Sequence, residues 1–222
     1  MTRAFLAGLA VVAVVLAGCS SDDGEPDSAG ASTPAGGGDT AEYLPVPAGV
    51  ELTTPGSQLA VGDHAVVAYE PRQGQVGALD IQVRRLRQAS IDDLAAWQLS
   101  AAQQKSTPFY VDVVVENVGE TDLGGRPVPL YVVNEDNVLL ESTPFASSFK
   151  PCPSTTFPDK FRPGASGRFC LVYLAPDKGE LVAVSFRPDE TFTPSTWTGK
   201  VERIAAPKKD KKSKDSKKSQ QN

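Results

Sequence analysis

Alternation of apolar and polar side chains is the feature of this sequence of 222 residues that most restricts its fold. The run 109–116 (Phe-Tyr-Val-Asp-Val-Val-Val-Glu) and the run 79–84 (Leu-Asp-Ile-Gln-Val-Arg) both repeat with a period of two. Successive side chains of a strand point to opposite faces of its sheet, so each run presents one apolar face to a core. The chain is therefore predicted to fold mainly as β-sheet.

Further segments of the same character bring the expected number of strands to between seven and nine. They are 64–69, 130–133, 138–141, 168–174, 181–186 and a weaker strand at 196–204. Turn residues at 134–137 (Asn-Glu-Asp-Asn) and at 176–179 (Pro-Asp-Lys-Gly) each predict a hairpin between two of these strands. This many short strands within 43–206 favours one domain built as an antiparallel β-sandwich.

One segment departs from the alternation and has apolar residues at helical spacing, namely Ile91, Leu94, Trp97 and Ala101. Ser90 precedes them, and Asp93 stands where the acid of a capping box would be. We expect a short helix of about ten residues across one end of the sandwich. Trp97 is interpreted as a cover over the core in preference to a ligand platform.

The N-terminus has the composition of an export signal. Arg3 precedes residues 4–18, which carry no charged or polar side chain and are too few to span a bilayer, since a spanning helix needs about 20 residues. Leu16-Ala17-Gly18-Cys19 then resembles the lipobox of bacterial lipoproteins. That resemblance implies removal of residues 1–18, diacylation of Cys19 and anchoring to the cell membrane on its extracytoplasmic face. An ordinary secretory signal is the alternative.

Two terminal segments of opposite charge flank the predicted domain. Residues 19–42 contain six acidic and no basic side chains, and they are predicted to form a disordered tether. Residues 207–222 contain seven lysines and two aspartates, and they are predicted to form a disordered tail. The tail could bind an anionic cell-wall polymer or the membrane, or it could simply aid solubility. Nucleic acid is not an expected partner, because the signal directs the chain out of the cytoplasm.

With Cys19 assigned to lipid, Cys152 and Cys170 remain as a pair in an oxidising compartment. We expect a disulfide between them; two thiols, or a metal site shared with a histidine, are the alternatives. The pair is much closer in sequence than the inter-sheet cysteines of antibody domains, and no tryptophan lies between them. An antibody-type immunoglobulin domain is therefore not indicated.

Three segments carry a wider resemblance: 59–63 (Leu-Ala-Val-Gly-Asp), 109–119 (from Phe109 to Gly119) and 161–164 (Phe-Arg-Pro-Gly). In this order they resemble the immunoglobulin-like domains of uncharacterised actinobacterial lipoproteins and related secreted mycobacterial antigens. The resemblance covers about residues 59–190 and implies an Ig-like β-sandwich outside the membrane. It implies no established reaction.

Candidate catalytic and metal-binding residues are few. His64 is the single histidine of the sequence, so a catalytic triad would have to use it; its place after Gly62-Asp63 favours an exposed structural role. No phosphate-binding or dinucleotide-binding motif occurs. Asp92-Asp93 and Glu135-Asp136 could contribute to a calcium site, but they lack the spacing of a calcium loop. Neither a metal nor a cofactor is therefore predicted.

Arg84, Arg85 and Arg87 form a basic cluster at the end of a predicted strand. A solvated, salt-bridged face is the favoured interpretation, and contact with a partner is the alternative.

Together these features predict a lipid-anchored, extracytoplasmic Ig-like binding or structural module of the cell envelope that is not an enzyme. Its expected partners are the membrane, through Cys19, and an envelope protein or an anionic cell-wall polymer. The alternative is a carrier of a small ligand or ion, with a pocket between the sheets or near Trp97. A hydrolase that depends on His64 is less favoured.

Overall fold

The computed structural model describes residues 44–145, 149–153 and 156–205. All of them belong to the second of two compact units, Thr40–Asn222. The predicted signal, Cys19, the tether at 19–42 and the tail at 207–222 lie outside the described residues and stay predictions.

The described residues form an all-β sandwich of two sheets, as the alternation predicted. The ten strands are β1 (Gln58–Ala60), β2 (His64–Arg72), β3 (Gln75–Gln88), β4 (Thr107–Asn117), β5 (Tyr131–Val133), β6 (Leu139–Leu140), β7 (Ser166–Ala175), β8 (Ala183–Phe186), β9 (Ser195–Thr198) and β10 (Val201–Arg203). Sheet A has the order β1-β9-β8-β5-β6. Sheet B has the order β10-β3-β4-β7, and β2 also pairs with β3.

The core lies between the two sheets and is built from alternate residues of each strand. Val111, Val113 and Val115 of β4 point into it, and Trp197 of β9 and Phe186 of β8 meet them from sheet A. Each of these five side chains is at most 1% exposed. Burying one Val or Phe stabilises the fold by about 1.5–3 kcal/mol relative to leaving it in water, which explains why the register of β4 is fixed.

The two hairpin predictions had different outcomes. The hairpin at 134–137 is confirmed: β5 and β6 pair antiparallel, and the Asn134 side-chain oxygen accepts hydrogen bonds from the N–H groups of Asp136 and Val138. The hairpin at 176–179 is wrong, because β7 belongs to sheet B and β8 to sheet A. The turn between them, Pro176–Lys178, is a 3₁₀ turn that carries the chain from one sheet to the other.

The C-terminal strand also differs from the prediction. The segment 196–204 is divided between β9 in sheet A and β10 in sheet B. This division raises the strand count of the described residues above the expected nine. β10 pairs parallel with β3, and β1 pairs parallel with β9, so the sandwich is not entirely antiparallel. The alternation identifies a strand but carries no information on which sheet the strand joins.

The predicted ten-residue helix is wrong in length and type. The segment instead contains two 3₁₀ turns, Ile91–Leu94 and Gln103–Lys105. The Ser90 side chain accepts a hydrogen bond from the N–H of Asp92, and Ser100 accepts one from the N–H of Gln103. Serine side chains that satisfy nearby backbone donors compete with a continuous helix.

A buried asparagine joins two loops at one end of the sandwich. Asn117 is fully buried, and its amide nitrogen donates to the carbonyl oxygens of Thr121 and Phe161 at 2.8 and 2.7 Å. Its side-chain oxygen accepts from the N–H of Gly119 at 3.1 Å. A Cβ on Gly119 would lie 2.5 Å from the backbone nitrogen of Ala78, so this close approach requires glycine.

Replacing Asn117 with Ala should lower the free energy of unfolding by about 2–4 kcal/mol, because it removes three hydrogen bonds between this buried side chain and the backbone of the two loops. Urea unfolding followed by intrinsic fluorescence measures the change. Gln73→Ala, at an exposed position, is the control and should stay within about 0.5 kcal/mol of the unmodified chain. Equal stability of both variants would contradict this role of Asn117.

Candidate binding face

The outer face of sheet B, which points away from sheet A, is divided into a half that the chain itself covers and a half that it leaves open. The covered half contains a second apolar cluster, formed by Tyr110, Phe149, Cys152, Cys170 and Val172 with Ala89 and Leu94. Trp97, Phe145 and Leu99 pack against that cluster. Trp97 therefore covers the outside of sheet B and not the core between the sheets.

Aromatic rings fill the covered half. The Trp97 ring lies 5.0 Å from that of Phe145 and 4.9 Å from that of Phe149, and the Tyr110 ring lies 5.6 Å from that of Phe149. Such tilted and edge-to-face pairs stabilise by about 0.5–1.5 kcal/mol beyond the area they bury. The region around Trp97, which was one expected location for a carrier's pocket, is therefore occupied by the chain's own rings.

Tyr110 connects this cluster to charged groups. Its hydroxyl donates to the carboxylate of Asp93 at 3.2 Å, and the guanidinium of Arg87 lies 5.3 Å from its ring centre. Burial raises the pKa of Tyr110 above its usual value, and the negative charge of Asp93 raises it further. Tyr110 therefore stays a neutral hydrogen-bond donor, and Asp93 holds the first 3₁₀ turn against the sheet.

The predicted disulfide between Cys152 and Cys170 links the covering segment to sheet B. The sulfur atoms of Cys152 and Cys170 lie 1.97 Å apart, at bonding distance. Cys170 belongs to β7, the edge strand of sheet B, and the N–H of Thr143 donates to the carbonyl of Val172 on the same strand. The segment around Cys152 is thus fixed beside a strand edge that would otherwise offer unpaired backbone groups.

A β-bulge in β3 creates the open half. Val83 pairs with Val113 and Arg85 pairs with Asp112, so Arg84 is an additional residue on β3. A bulge of this kind redirects the side chains that follow it. Arg84 and Arg85 are both exposed, whereas the next residue, Leu86, is fully buried in the core.

Asp112 organises two of the three predicted arginines. Its carboxylate lies 2.9 Å from the Nε atom of Arg85 and 2.7 Å from the Nη2 atom of Arg87. Arg84 instead donates to the side-chain oxygen of Gln82 at 2.8 Å. The salt-bridged arrangement that the sequence favoured is present at Arg85 and Arg87, and contact of the cluster with a partner stays a prediction.

The open half is a shallow cavity of about 1050 Å³. Its lining includes Gln82, Arg84, Arg85, Asp112, Val114 and Arg168. Val114 pairs with Gln82 on one side and with Arg168 on the other, so these three residues form a row across β3, β4 and β7. This surface has a formal charge of +2, because it contains three arginines and one aspartate, namely Arg84, Arg85, Arg168 and Asp112.

Arg168 is the member of this face that the sequence prediction missed. It lies two residues before Cys170 on β7 and therefore shares the outer face with it. Within the described ranges, Arg168 forms no ion pair. The period-two relation to Cys170 would have predicted its orientation, but the register that places it beside Val114 requires the structure.

His64 lies at the border of the same face, on β2 and opposite Gln82. Its Nδ1 atom lies 2.9 Å from a carboxylate oxygen of Asp80, and its side chain is 57% exposed. The exposure that the sequence favoured for His64 is confirmed, and its structural role stays a prediction. In the part of the chain that the structure describes, no group of three or more His, Cys, Asp or Glu side chains could hold a metal ion.

The candidate calcium-site carboxylates take part in local structure. Asp93 accepts the hydrogen bond from Tyr110, and Glu135 accepts one from the N–H of Glu180 at 2.7 Å, which fixes the turn after β7. The neighbouring Asp136 donates its backbone N–H to Asn134.

A smaller depression of about 360 Å³ lies elsewhere on the domain. Tyr69, Tyr131, Glu141, Arg187 and several prolines line it. Its lining combines one acid with one base and therefore lacks the excess of positive charge that characterises the open half.

Comparisons with known proteins assign no family to this chain. No protein-family model matches it, and no curated protein matches it. A crystal structure at 2.2 Å of a conserved hypothetical protein from Bacillus anthracis is similar to 61% of this chain and 94% of that chain, with 14% identity and a TM-score of 0.35. A likeness at this level carries no information on function. Among the described residues, no helix is long and apolar enough to cross a membrane.

Replacing both Cys152 and Cys170 with Ala should destabilise the domain by about 3 kcal/mol, because the bridge closes a span of 18 residues. Thermal unfolding of the double variant measures this loss. Reduction of the unmodified chain breaks the same bridge and should cause the same loss of stability. If the melting temperature stayed unchanged in both, the bridge would have no part in stabilising the covered half.

Proposed function

We propose that this protein is a lipid-anchored, extracytoplasmic binding module of the bacterial cell envelope, without catalytic activity, and that the open half of sheet B is its recognition surface. The observation that carries the proposal is the division of one sheet face. The chain places three phenylalanine and tryptophan rings and a disulfide over one half, and it leaves the other half concave and positively charged.

The open half has properties suited to recognition. Its side chains stand on three adjacent strands, and sites built on strands are held more precisely than sites on loops. Val114 supplies an apolar floor between Gln82 and Arg168, and the guanidinium groups supply charged donors. Arginine can donate two parallel hydrogen bonds to a carboxylate or a phosphate, so this surface is suited to an anionic partner.

The chemistry of the face supports binding in preference to reaction. Arginine provides permanent charge and hydrogen bonds but does not exchange protons near neutral pH. His64 lies at the border with more than half of its side chain exposed and is paired with Asp80. The interior of the sandwich is packed with Trp197, Phe186 and other large side chains, which favours a binding surface over a carrier with a pocket between the sheets.

The anchoring part of the proposal rests on Leu16-Ala17-Gly18-Cys19. Two acyl chains on Cys19 would hold the module stably, since each buried methylene contributes about 0.8 kcal/mol. A disordered tether over 19–42 would have an r.m.s. reach of about 25–30 Å, enough to carry the domain beyond the lipid head groups.

Replacing Cys19 with Ala should move the protein from the membrane fraction to the soluble or secreted fraction, because the variant offers no sulfur for acylation. Fractionation of the expressing bacterium and immunoblotting measure the distribution. Ser21→Ala is the control and should stay with the membrane. Retention of Cys19→Ala in the membrane fraction would contradict a lipid anchor at this residue.

A photoreactive amino acid at position 114 should crosslink to an envelope component in intact cells, because Val114 lies on the floor of the open half. The same amino acid at position 182 is the control, since Val182 is 52% exposed and precedes β8 of sheet A. Identical products from both positions, or no product from position 114, would overturn the assignment of the recognition surface.

A further inference from the structure

We infer that the domain carries a second binding site, the depression of about 360 Å³ lined by Tyr69, Tyr131, Glu141 and Arg187, and that its ligand is a small apolar zwitterion. Such a ligand has a free ammonium group at one end and a free carboxylate at the other, as amino acids and short peptides have. We call this site the tyrosine pocket. It shares no lining residue with the open half of sheet B, so the inference goes beyond the proposed function and does not depend on it.

Three strands of sheet A bring the two charged residues of the pocket to either side of a tyrosine. The order of the sheet places β5 between β8 and β6. Tyr131 of β5 pairs with Ser185 of β8, and Arg187 follows Ser185 by two residues. On the other side, Glu141 directly follows β6. Two strand spacings separate β6 from β8, about 10 Å, so the acid and the base flank Tyr131.

Both charges are available to a ligand. Within the described ranges, the Glu141 carboxylate accepts no hydrogen bond, and neither Glu141 nor Arg187 forms an ion pair. The Nε and Nη2 atoms of Arg187 donate to the carbonyl oxygens of Asp189 and Glu190 at 3.3 and 2.9 Å, which holds the guanidinium group in place. Its Nη1 atom has no hydrogen-bond partner among the described residues, so two N–H groups can donate to a carboxylate.

The rest of the lining suits an apolar ligand body. Four prolines contribute to it, namely Pro127, Pro129, Pro144 and Pro188. A proline ring fixes the backbone angle φ, so these walls are held in one conformation, and a preformed site binds without the cost of ordering its own chain. The volume lies at the lower end of the range of about 300–1,000 Å³ that is typical of small-molecule sites. The pocket therefore fits a small ligand with an apolar middle.

The two tyrosines favour an ammonium group at the Glu141 end. Burial raises the pKa of Tyr69, the charge of Arg126 offsets this in part, and the nearby Tyr131 raises it further, so Tyr69 stays neutral. A ligand cation is attracted to the face of a tyrosine ring within about 6 Å, and a carboxylate pairs with it directly. Tyr131 and Glu141 thus form the ammonium end of the pocket, and Arg187 forms the carboxylate end.

Charge complementarity selects a zwitterion over other small ligands. A simple anion would be attracted by Arg187 and repelled by Glu141, and for a simple cation the two effects are exchanged. An uncharged ligand would displace water from both charges and pair with neither, which is costly. A zwitterion pairs with both charges, and its apolar body covers the tyrosine and proline surface between them.

Saturation-transfer NMR with leucyl-leucine tests the inference on the full processed chain in neutral detergent. Leucyl-leucine should bind saturably. N-acetyl-leucyl-leucine and leucyl-leucine amide should each bind about fivefold more weakly or worse, because each lacks one of the two charges. Free leucine is titrated in parallel, and the tighter of the two unblocked ligands identifies a single amino acid or a short peptide as the source of this chemistry.

Two variants assign the ends of the ligand. Glu141→Gln should weaken leucyl-leucine binding about fivefold and leave N-acetyl-leucyl-leucine unchanged, whereas Arg187→Gln should weaken leucyl-leucine and leave the amide unchanged. Glu202→Gln on β10 of sheet B is the control and should change the affinity less than about twofold. If Arg187→Gln does not fold, the comparison of blocked and unblocked ligands on the unmodified chain still decides the question.

Three results would overturn the inference. Equal affinity for leucyl-leucine and for its doubly blocked form, N-acetyl-leucyl-leucine amide, would show that the pocket takes an uncharged ligand. Absence of saturable binding by both leucine and leucyl-leucine would refute the zwitterion site. Binding that Glu141→Gln leaves unchanged would place the ligand elsewhere on the protein.

Discussion

The bulge at Arg84 is the constraint on which the arrangement of sheet B depends. β3 has 14 residues and must turn Leu79, Ile81 and Val83 toward the core before the bulge and Leu86 toward the core after it. Strict alternation cannot do both, because a shift of one residue exchanges the two faces of a strand. The extra residue restores the apolar phase and directs Arg84 and Arg85 to the outer face. The bulge therefore completes the apolar core and also places two positively charged side chains on the outer face.

The division of the outer face of sheet B into a covered and an open half depends on which side chains the chain can bury. Trp97, Phe149 and the disulfide close over the end where Tyr110 and Val172 present apolar surface. At the other end the bulge places arginines, whose charge is too costly to bury without a partner, and that end stays open. Asp112 lies at the boundary and forms ion pairs with the two arginines nearest the covered half, Arg85 and Arg87. The register of β3 therefore determines both the apolar packing that stabilises sheet B and the position of the candidate binding surface.

Sequence reasoning found the strands whose two faces differ most, such as β4, and the hairpin at 134–137, because both depend on local patterns. It also found the cysteine pair, because two cysteines remain once Cys19 is assigned to lipid and an exported chain can form a disulfide. The hairpin prediction at 176–179 was wrong. A turn sequence there is compatible with a hairpin or with a crossing between sheets, and only long-range packing determines which of the two forms. The adjacent Arg84 and Arg85 followed by Leu86 did contain the signal of a bulge. Arg168 gave no such signal, since its position beside Val114 is a matter of register.

The central claim is that the register of β3, β4 and β7 creates an anion-binding surface, and side-chain NMR tests it most directly. In the ¹⁵N-labelled chain, the Nε–H resonances of the arginines report on each guanidinium group separately. Titration with long-chain polyphosphate should shift the signals of Arg84 and Arg168 in a saturable manner and leave that of Arg72 in place. Equal shifts of Arg72 and of the cavity arginines, or no shift at Arg84 and Arg168, would contradict the account.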